Sequence, residues 1–460
     1  MSSPHVLVIP YPVQGHVIPL MSLSQKLVKH GIKVTFVNTD ACHKRVVSAI
    51  SDQDGLVGPN INLVSIPDGL EHEDDRNKLG KLCSVMLETM PTKLEKLIED
   101  ISTVDVDNRI TCVLADGCMG WTLEVAQKLG IKGALLWPAS VTVFAVISNI
   151  PKMIDEGILD NNGYSKGRQT FQLSPTMPEI DTVVIPWSSM GDTTSQNLVF
   201  EYFIRIIQTQ NLAEWTICNT VYEFEPEALA LCTRVLPVGP LMETCQDRTS
   251  RGQFWEDDYS CLDWLDQQPT KSVIYVAFGS LAVLNQIQFQ ELALGLELTG
   301  QPFLWVVRAD DDSGTNTKYP YPDEFQGTRG KIIGWAPQQK ILSHPAIACF
   351  ISHCGWNSTL EGLSNGVPFL CWPYFADQFI NKTYICDEWK VGLGFDFNDE
   401  RIITRTEIKK KVDQLLSNEE TRARSLKLKE IARNNMVEGG QSYENLNNFI
   451  NWLMQQRVCT

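Results

Sequence analysis

The chain has 460 residues, of which 43% are hydrophobic and 20% are charged, and its net charge is −16 at pH 7. This length exceeds that of one ordinary hydrophobic core, so we expect two domains. The acidic balance argues against nucleic acid or an anionic membrane as the main partner, and no apolar stretch reaches the ~18–20 residues of a membrane span.

The amino terminus, Met1 to His5, lacks the basic start and the cleavage site of a secretion signal. The 13 cysteines are scattered along the chain and never form a Cys-x-x-Cys pair. We therefore expect reduced, mostly buried thiols, as in proteins of reducing compartments. These features predict a cytoplasmic protein, and we expect it to be a monomer.

Short apolar runs alternate with helical patterns through the first half of the chain. The runs cover residues 5–10, 33–37, 62–66, 110–115 and 133–137, and an amphipathic stretch follows the first of them, over 17–30. Continuous β-branched runs separated by helices are typical of a parallel sheet that is covered on both faces. We therefore predict a doubly wound α/β domain over residues 1–240.

The middle of the chain interrupts this pattern twice. Residues 151–186 are rich in Gly, Asn, Ser and Pro, which predicts a long excursion with short helices beside a binding site. Residues 235–240 contain two prolines and a glycine, and a polar stretch follows to about Asp258. This second interruption predicts the linker between the domains.

A second alternation begins after the linker. Its apolar runs cover residues 272–278, 302–307, 331–333, 347–351 and 368–372. They predict another doubly wound domain over residues 241–460, whose last helical segment, from about 442, packs back on the first domain. Two such domains place a cleft between the carboxyl ends of their sheets, where ligands of these folds bind.

The segment 335–378 carries groups suited to a nucleotide diphosphate. Within it, residues 352–358 (Ser-His-Cys-Gly-Trp-Asn-Ser) follow an apolar run and open a helical pattern. The free N–H groups and the positive dipole end of a helix start bind anions well. Ser280, in the turn after the first strand of the same domain, could donate a hydrogen bond from the opposite side.

Other side chains of this segment suit the rest of a nucleotide sugar. Trp335 offers an aromatic face to a base, and Glu361 offers two acceptor oxygens to ribose hydroxyls. Asp377 and Gln378 place an acceptor beside an amide, as recognition of sugar hydroxyls requires. Trp335 and Trp356 could each instead be a simple core residue, and it is their spacing within the segment that favours binding.

In these features the chain resembles the plant family 1 UDP-glycosyltransferases. Their signature box begins with Trp, has His-Cys-Gly-Trp-Asn-Ser in its middle and ends in Asp-Gln, and residues 335–378 match it without a gap. Residues 15–19 and 116–121 are similar to the first half of these enzymes. The resemblance implies the GT-B architecture, in which two Rossmann-like domains face each other across a cleft.

The resemblance also implies roles for single residues. Trp335 would stack on uracil, Glu361 would hold the ribose, and Gln378 would favour glucose over galactose. The full donor site implied by the family is Ser280, Trp335, Ala336, Gln338, His353, Gly355, Trp356, Asn357, Ser358, Glu361, Asp377 and Gln378. UDP-glucose is then a co-substrate, and no cofactor or metal is expected.

His16 and Asp116 are similar to the family's catalytic pair, and elementary chemistry supports the same assignment. A hydroxyl acceptor needs its proton removed as the new bond forms, which suits an imidazole. A carboxylate on the other ring nitrogen fixes the tautomer and stabilises the imidazolium. Alone, His16 would more simply be a structural residue, and Asp116 would equally fit a helix N-cap.

The acceptor site is harder to predict than the donor site. Several relatives have Ser or Thr directly after the aromatic residue that ends the fifth strand, but here Pro138 follows Trp137, so that sugar contact is absent or shifts to Ser140 or Thr142. We predict a pocket above His16, although ordinary core packing is an alternative for each member. The predicted lining is Gln14, Met119, Trp137, Ser140, Phe144, Trp187, Phe200 and Phe203.

The Asp310–Asp312 run resembles the Asp-x-Asp metal motif of other glycosyltransferases, but we interpret it as a solvated loop. The sequence therefore predicts metal-independent, inverting transfer of glucose to a hydroxyl of a small lipophilic plant metabolite: a flavonoid, a phenylpropanoid or a terpenoid. The alternatives are another UDP-sugar, a C-glucoside, or a non-catalytic protein that binds a nucleotide sugar or a small ligand.

Overall fold

Two parallel β-sheets, each covered by helices, organise the chain in the computed structural model, which describes residues 3–49, 61–71, 73–104, 108–242, 252–308 and 319–456. The strands are β1 His5–Ile9, β2 Lys33–Thr39, β3 Ile61–Ile66, β4 Cys112–Asp116, β5 Lys132–Trp137, β6 Thr170–Phe171, β7 Ile180–Asp181, β8 Trp215–Cys218, β9 Val235–Pro237, β10 Val273–Ala277, β11 Phe303–Val306, β12 Gly330–Ile333, β13 Ile347–Ser352, β14 Phe369–Cys371 and β15 Gly392–Gly394.

The helices alternate with these strands in chain order. They are α1 Gln14–Lys29, α2 Asp40–Ser48, α3 Leu79–Val104, α4 Trp121–Lys128, α5 Val141–Ser148, α6 Ile150–Asp155, α7 Thr193–Thr209, α8 Pro226–Leu231, α9 Ser260–Leu265, α10 Gln286–Thr299, α11 Gln338–Ser343, α12 Trp356–Asn365, α13 Gln378–Thr383, α14 Arg405–Leu416, α15 Glu419–Asn435 and α16 Gln441–Gln455. None of the described helices is both long enough and apolar enough to cross a membrane.

The first sheet has seven parallel strands in the order β3-β2-β1-β4-β5-β8-β9. Residues of β1 alternate between its two faces: Leu7 and Ile9 belong to one buried cluster, Val6 and Val8 to the other. Burial on both faces explains the continuous apolar runs in the sequence. The order turns outward in both directions from β1 and β4, so ligands are expected at their carboxyl ends.

The second sheet has six parallel strands in the order β12-β11-β10-β13-β14-β15. It too is buried on both faces, with Tyr275 in one cluster and Ile274 and Val276 in the other. Its order reverses between β10 and β13, which places the second switch point there. The predicted fold class, two doubly wound Rossmann-like domains in the GT-B arrangement, is therefore confirmed.

The last helix, α16, lies against the first sheet rather than the second. Leu446, Phe449 and Leu453 join the buried cluster of β1 and α1. The Phe449 ring lies 5.8 Å from that of Trp215 in β8, and Asn445 donates to the Pro237 carbonyl at 2.9 Å. The end of the chain thus crosses back over the first domain.

Some elements differ from the sequence prediction. Strand β9 lies where we predicted only a pattern break, and β8 and β15 were not predicted. Each is three or four residues long, too short to show a hydrophobic period. The excursion 151–186 does contain a short helix, α6, but also the two-stranded β6–β7 hairpin, because its apolar residues Phe171 and Ile180 are buried against the first domain.

Candidate active site

A cleft of about 370 Å³ lies between the carboxyl ends of the two sheets. The first domain lines it with the residues after β1, β4 and β5 and with one face of α7. The second domain lines it with the turn after β10 and with the start of α12. Because carboxyl ends of parallel strands meet at one edge, residues far apart in sequence converge there.

His16, in the first turn of α1, hydrogen-bonds through Nδ1 to Oδ2 of Asp116 at 2.8 Å. Asp116 is fully buried at the end of β4, whereas the His16 side chain is 24% exposed and lines the cleft. The second carboxylate oxygen of Asp116 accepts the Cys118 N–H at 2.8 Å, so this residue both caps the following turn and orients the imidazole. Nε2 is then the His16 nitrogen left to face a ligand.

Two carboxylates set the charge of His16. Burial alone would lower the pKa of the imidazole, but the charge and hydrogen bond of Asp116 and the charge of Asp377 raise that pKa above its ordinary value. Burial in turn raises the pKa of Asp377, while the Asn381 amide, bonded at 2.7 Å, works against that rise. The two domains therefore bring a base and a carboxylate to the same part of the cleft.

The His16 cluster is also the only group of described residues with a spacing suited to a metal ion. One ligand atom each of His16, Asp116 and Cys118 lies within 4.8 Å of the others. The imidazole and the carboxylate already bond to each other there. The Asp310–Asp312 run lies outside the described residues.

The start of α12 faces the cleft from the second domain. β13 ends at Ser352, and Gly355 is the N-cap of α12, so the helix begins with free N–H groups beside the turn after β10. The pKa of His353 is lowered to about 4, mainly by burial and in part by the charge of Arg308. A hydrogen bond with the Ala277 backbone works against this lowering. His353 is therefore a neutral imidazole close to the start of α12.

The turn after β10 needs glycine at its centre. Gly279 has a φ of +70°, and a Cβ there would lie 2.6 Å from Nε2 of His353. Only glycine combines this left-handed backbone with such close approach of a ring. Ser280 follows on the cleft lining, and the guanidinium of Arg308 donates to the Ser280 carbonyl and, at 3.0 Å, to that of Ala282.

A hydrogen-bonded chain links the predicted base and ribose contacts. Gln338 donates through Nε2 to Ser358 at 2.8 Å and to Glu361 at 2.6 Å, and it accepts from Tyr275 at 3.0 Å. Burial raises the pKa of Glu361 to about 7, although donation from Gln338 and Gln339 lowers it. This fixed carboxylate is well placed to accept from a vicinal diol that enters the cleft.

Two residues of the predicted donor site join the domains instead of standing free. The Trp356 indole donates to the Asn219 carbonyl at 2.7 Å, and the Asn357 amide donates to the Gly15 carbonyl at 2.7 Å. The indole N–H of Trp356 is therefore not available to a sugar hydroxyl. Gln378 accepts from the N–H groups of Tyr374 and Phe375, at 2.8 and 3.2 Å, which leaves its Nε2 for a ligand.

All the predicted donor-site residues line the cleft: Ser280, Trp335, Ala336, Gln338, His353, Gly355, Trp356, Asn357, Ser358, Glu361, Asp377 and Gln378. The predicted acceptor residues do so only in part. Gln14, Trp137 and Phe203 line the cleft. Met119, Ser140, Phe144, Trp187 and Phe200 do not line it, so for these five residues a contact with the acceptor stays a prediction.

The five side chains that do not line the cleft are buried in the first domain. Trp187 packs against Phe200 at 5.4 Å and donates to the Gly163 carbonyl. Phe144 packs edge-on against Trp137 at 5.3 Å, and Met119 is fully buried. Such apolar residues satisfy both interpretations in sequence, and only the packing separates them.

The two polar residues after Pro138 are structural as well. Ser140 caps α5 by accepting the Val143 N–H at 3.3 Å, and Thr142 bonds to Glu225 and to Tyr384 at 2.8 and 2.9 Å. Neither lines the cleft, so neither replaces the hydroxyl that Pro138 displaces.

The structure adds cleft residues that sequence reasoning missed. Tyr11 and Tyr202 line the cleft from the first domain, with the Tyr11 ring 5.2 Å from that of His16, and Gln253 and Arg308 line it as well. Tyr11 could have been found, because it directly follows the apolar run of β1. Gln253 lies within the linker, where no pattern marks a functional residue.

Comparison with known proteins agrees with this geometry. The family model for UDP-glucoronosyl and UDP-glucosyl transferase matches residues 239–442. The chain is 45% identical to UDP-glycosyltransferase 83A1 of Arabidopsis thaliana over 99% of this chain and 98% of that protein. It is 33% identical to 7-deoxyloganetin glucosyltransferase of Gardenia jasminoides, over 98% of both chains.

A solved structure agrees over nearly the whole length. It is the complex between a UDP-glucosyltransferase from Polygonum tinctorium capable of glucosylating indoxyl and 3,4-dichloroaniline. The TM-score is 0.81 at 26% identity, covering 98% of this chain and 99% of that one.

Proposed function

Because this chain belongs to the plant UDP-glycosyltransferases, we propose that it transfers glucose from UDP-glucose to a hydroxyl group of a small, largely apolar plant metabolite. The observation that carries the proposal is the His16–Asp116 hydrogen bond of 2.8 Å on one wall of the cleft. The opposite wall is lined by the signature box, 335–378. This arrangement supports a mechanism in which a base and a nucleotide sugar meet across the cleft.

In the proposed reaction His16 acts as the general base. Nε2 takes the proton of the acceptor hydroxyl while the hydroxyl oxygen bonds to the anomeric carbon. The bond from that carbon to the diphosphate oxygen breaks, and UDP leaves with the electron pair. Asp116 stabilises the imidazolium that forms. One displacement inverts the anomeric carbon, so an α-linked donor gives a β-glucoside.

On the donor side, the proposal assigns the negative charge of the diphosphate to fixed donors. The start of α12 supplies N–H groups and the positive end of the helix dipole, and Ser280 adds a hydroxyl. With these groups in place no metal is needed in the proposed mechanism. Gln378, at the end of the box, supports glucose as the transferred sugar.

The acceptor side supports a neutral hydroxyl compound. Its lining is largely apolar, including Trp137, Val143, Ile147 and Phe203. Among the described first-domain residues on the cleft, His16 is the only one whose side chain can become positively charged. A carboxylate acceptor would find no other cation on this wall, and it would approach the negative charge of Asp116.

A mass-spectrometric screen tests the proposal. The purified chain is incubated with UDP-glucose, UDP-galactose or UDP-xylose and with panels of flavonoids, phenylpropanoids and terpenoids. We expect acid-labile mono-glucosides and release of UDP, with UDP-glucose as the preferred donor. An acid-resistant product would indicate a C-glucoside instead. The absence of turnover with every hydroxyl acceptor, despite UDP binding, would contradict a catalytic role.

A further inference from the structure

Residues 252–255, called the strap below, are anchored on the first domain. Gly252 has a φ of +89°, and a Cβ there would lie 3.1 Å from Cβ of Met21 in α1. Phe254 is buried in the same cluster as Val17 and Met21. The strap therefore lies directly on helix α1, the helix that carries His16.

The other end of the strap contacts the second domain. The Trp255 ring lies 4.6 Å from the Trp335 ring at an angle of 34°. Trp335 lines the cleft and Trp255 does not, so Trp255 packs against Trp335 from outside the cleft lining. The Trp335 face on the cleft side is left for a planar ligand, backed by a second aromatic ring.

Gln253 connects the two ends through one oxygen atom. Its Oε1 accepts from Nε2 of Gln14, in the first domain, at 2.6 Å, and from Nε1 of Trp335, in the second, at 3.3 Å. The Gln14 amide is held in turn, because its Oε1 accepts the Phe254 N–H at 3.1 Å. Gln253 also lines the cleft. Its amide thus lies between the start of α1 and the Trp255–Trp335 pair, called the aromatic platform below.

Positive charge from both domains surrounds this platform. The guanidinium of Arg45, from α2, lies 5.9 Å from the centre of the Trp255 ring, and that of Arg308 lies 5.7 Å from it. Arg308 also holds the carbonyl groups of the turn that carries Ser280. Each cation favours a fixed position of the Trp255 ring through its negative face.

We infer that the strap is a further part of the donor site, in which Gln253 is a positioning residue for the base of a uridine nucleotide. It fixes the plane of Trp335 by accepting its indole N–H. It also connects the base platform to Gln14, two residues before His16. This inference rests on the proposed function, because it takes the ligand on Trp335 to be the uracil of UDP. Binding of the nucleotide and the position of α1 are then coupled.

Calorimetric titration of the full chain with UDP, without acceptor, tests the coupling. Gln253→Met and Gln14→Met preserve side-chain length but remove the bond between the two residues. Each variant loses this shared bond and one other, with Trp335 for Gln253→Met and with the Phe254 N–H for Gln14→Met, and each is expected to weaken UDP binding about five- to tenfold or more. The double variant is expected to lose clearly less affinity than the product of the two single effects, since both changes break the same Gln14–Gln253 bond. Gln253→Glu keeps an accepting oxygen and should bind UDP more tightly than Gln253→Met.

Gln267→Met is the matched control, because Gln267 is exposed just after α9, does not line the cleft, and its amide donates to the Asp263 carbonyl. It should bind UDP as the unaltered chain does. Unchanged UDP affinity in Gln14→Met, or single effects that multiply in the double variant, would overturn the strap's role. Failure of the unaltered chain to bind UDP would instead contradict the proposed function.

Discussion

At the scale of single residues, the chemistry depends on which nitrogen of His16 is committed. Nδ1 bonds to Asp116, so Nε2 is the nitrogen that would take the acceptor proton in the proposed mechanism. The same carboxylate also caps the Gly117–Met119 turn through its other oxygen. One buried residue thus serves both local structure and the orientation of the base, so the N-cap interpretation and the catalytic interpretation of Asp116 are compatible.

Replacing His16 with alanine removes the proposed base without touching the second domain. We expect kcat to fall by ~10²–10⁴-fold, the usual contribution of general base catalysis. UDP affinity should stay close to that of the unaltered chain. His30→Ala is the matched control, because His30 is an exposed residue at the other end of α1. Near-normal turnover of His16→Ala would contradict the mechanism.

The pH profile tests the electrostatic environment of His16. Asp116 and Asp377 raise the pKa of the imidazole above 6.5, and the base acts only when neutral. kcat/KM should therefore fall as pH drops through a pKa above 6.5. In Asp116→Asn one negative charge is lost, so the acid limb should move to lower pH while the maximum rate decreases. An acid limb that stays in place would show that Asp116 does not set this pKa.

At the scale of elements, the turn after β10 depends on close approach of backbone and ring. In Gly279→Ala the new Cβ would meet His353 at 2.6 Å, on a backbone with φ of +70°. We expect the turn to shift and UDP affinity to drop by about tenfold or more, roughly the 1–3 kcal/mol of strained backbone. Calorimetry with UDP measures this loss.

Gly300→Ala is the control for that variant. Gly300 has nearly the same φ, +66°, but nothing lies within 4 Å of its Cβ position, at the end of α10. It shares the strain of a left-handed alanine and lacks the clash. UDP affinity equal to that of Gly279→Ala would show that the His353 contact is unimportant.

Helix α16 stabilises the first domain although it lies at the end of the chain. Phe449 is fully buried, and its ring lies 5.8 Å from those of Trp215 and Trp452. Phe449→Ala is expected to cost about 3–5 kcal/mol, because it leaves a cavity in a packed core. Urea unfolding measures the change, as a shift in the midpoint of the transition in which the first domain unfolds. The exposed Asn448 on the same helix provides the control, and Asn448→Ala should leave the midpoint in place.

At the scale of the whole molecule, hydrogen bonds between the domains connect the two walls of the cleft. Trp356 donates to Asn219, Asn357 donates to Gly15, and Trp389 donates to the Phe224 carbonyl at 3.0 Å. Trp356 and Asn357 line the cleft and belong to the signature box, whereas Trp389 lies beyond both. The relative position of the two walls is therefore fixed in part by residues of the box itself.

The arrangement predicts that activity survives removal of divalent metal. Fixed donors at the start of α12 face the diphosphate site in the proposed mechanism, so a metal bridge is not required. Turnover in EDTA should match turnover in added magnesium, measured as UDP release. A strict loss in chelator that magnesium restores would contradict this mechanism.

The fold class, the 335–378 box that lines the second-domain wall of the cleft and the pairing of His16 with Asp116 could all be predicted from the sequence. Each rests on patterns that are local in the chain: continuous apolar runs for buried parallel strands, and polar residues at or soon after the carboxyl ends of β1, β4 and β13. Residues that follow such strands reach one sheet edge whatever the loops do.

The first-domain lining of the cleft, the bonding of Trp356 and the strap could not be predicted from the sequence. Trp187 and Phe203 look alike in sequence, yet one is buried behind the pocket and the other lines it. Trp356 bonds across the domains to Asn219, and Gln253 bonds to residues more than 80 positions away on either side. Contacts between residues distant in the chain depend on how the domains pack together, and no periodicity in the sequence encodes that packing.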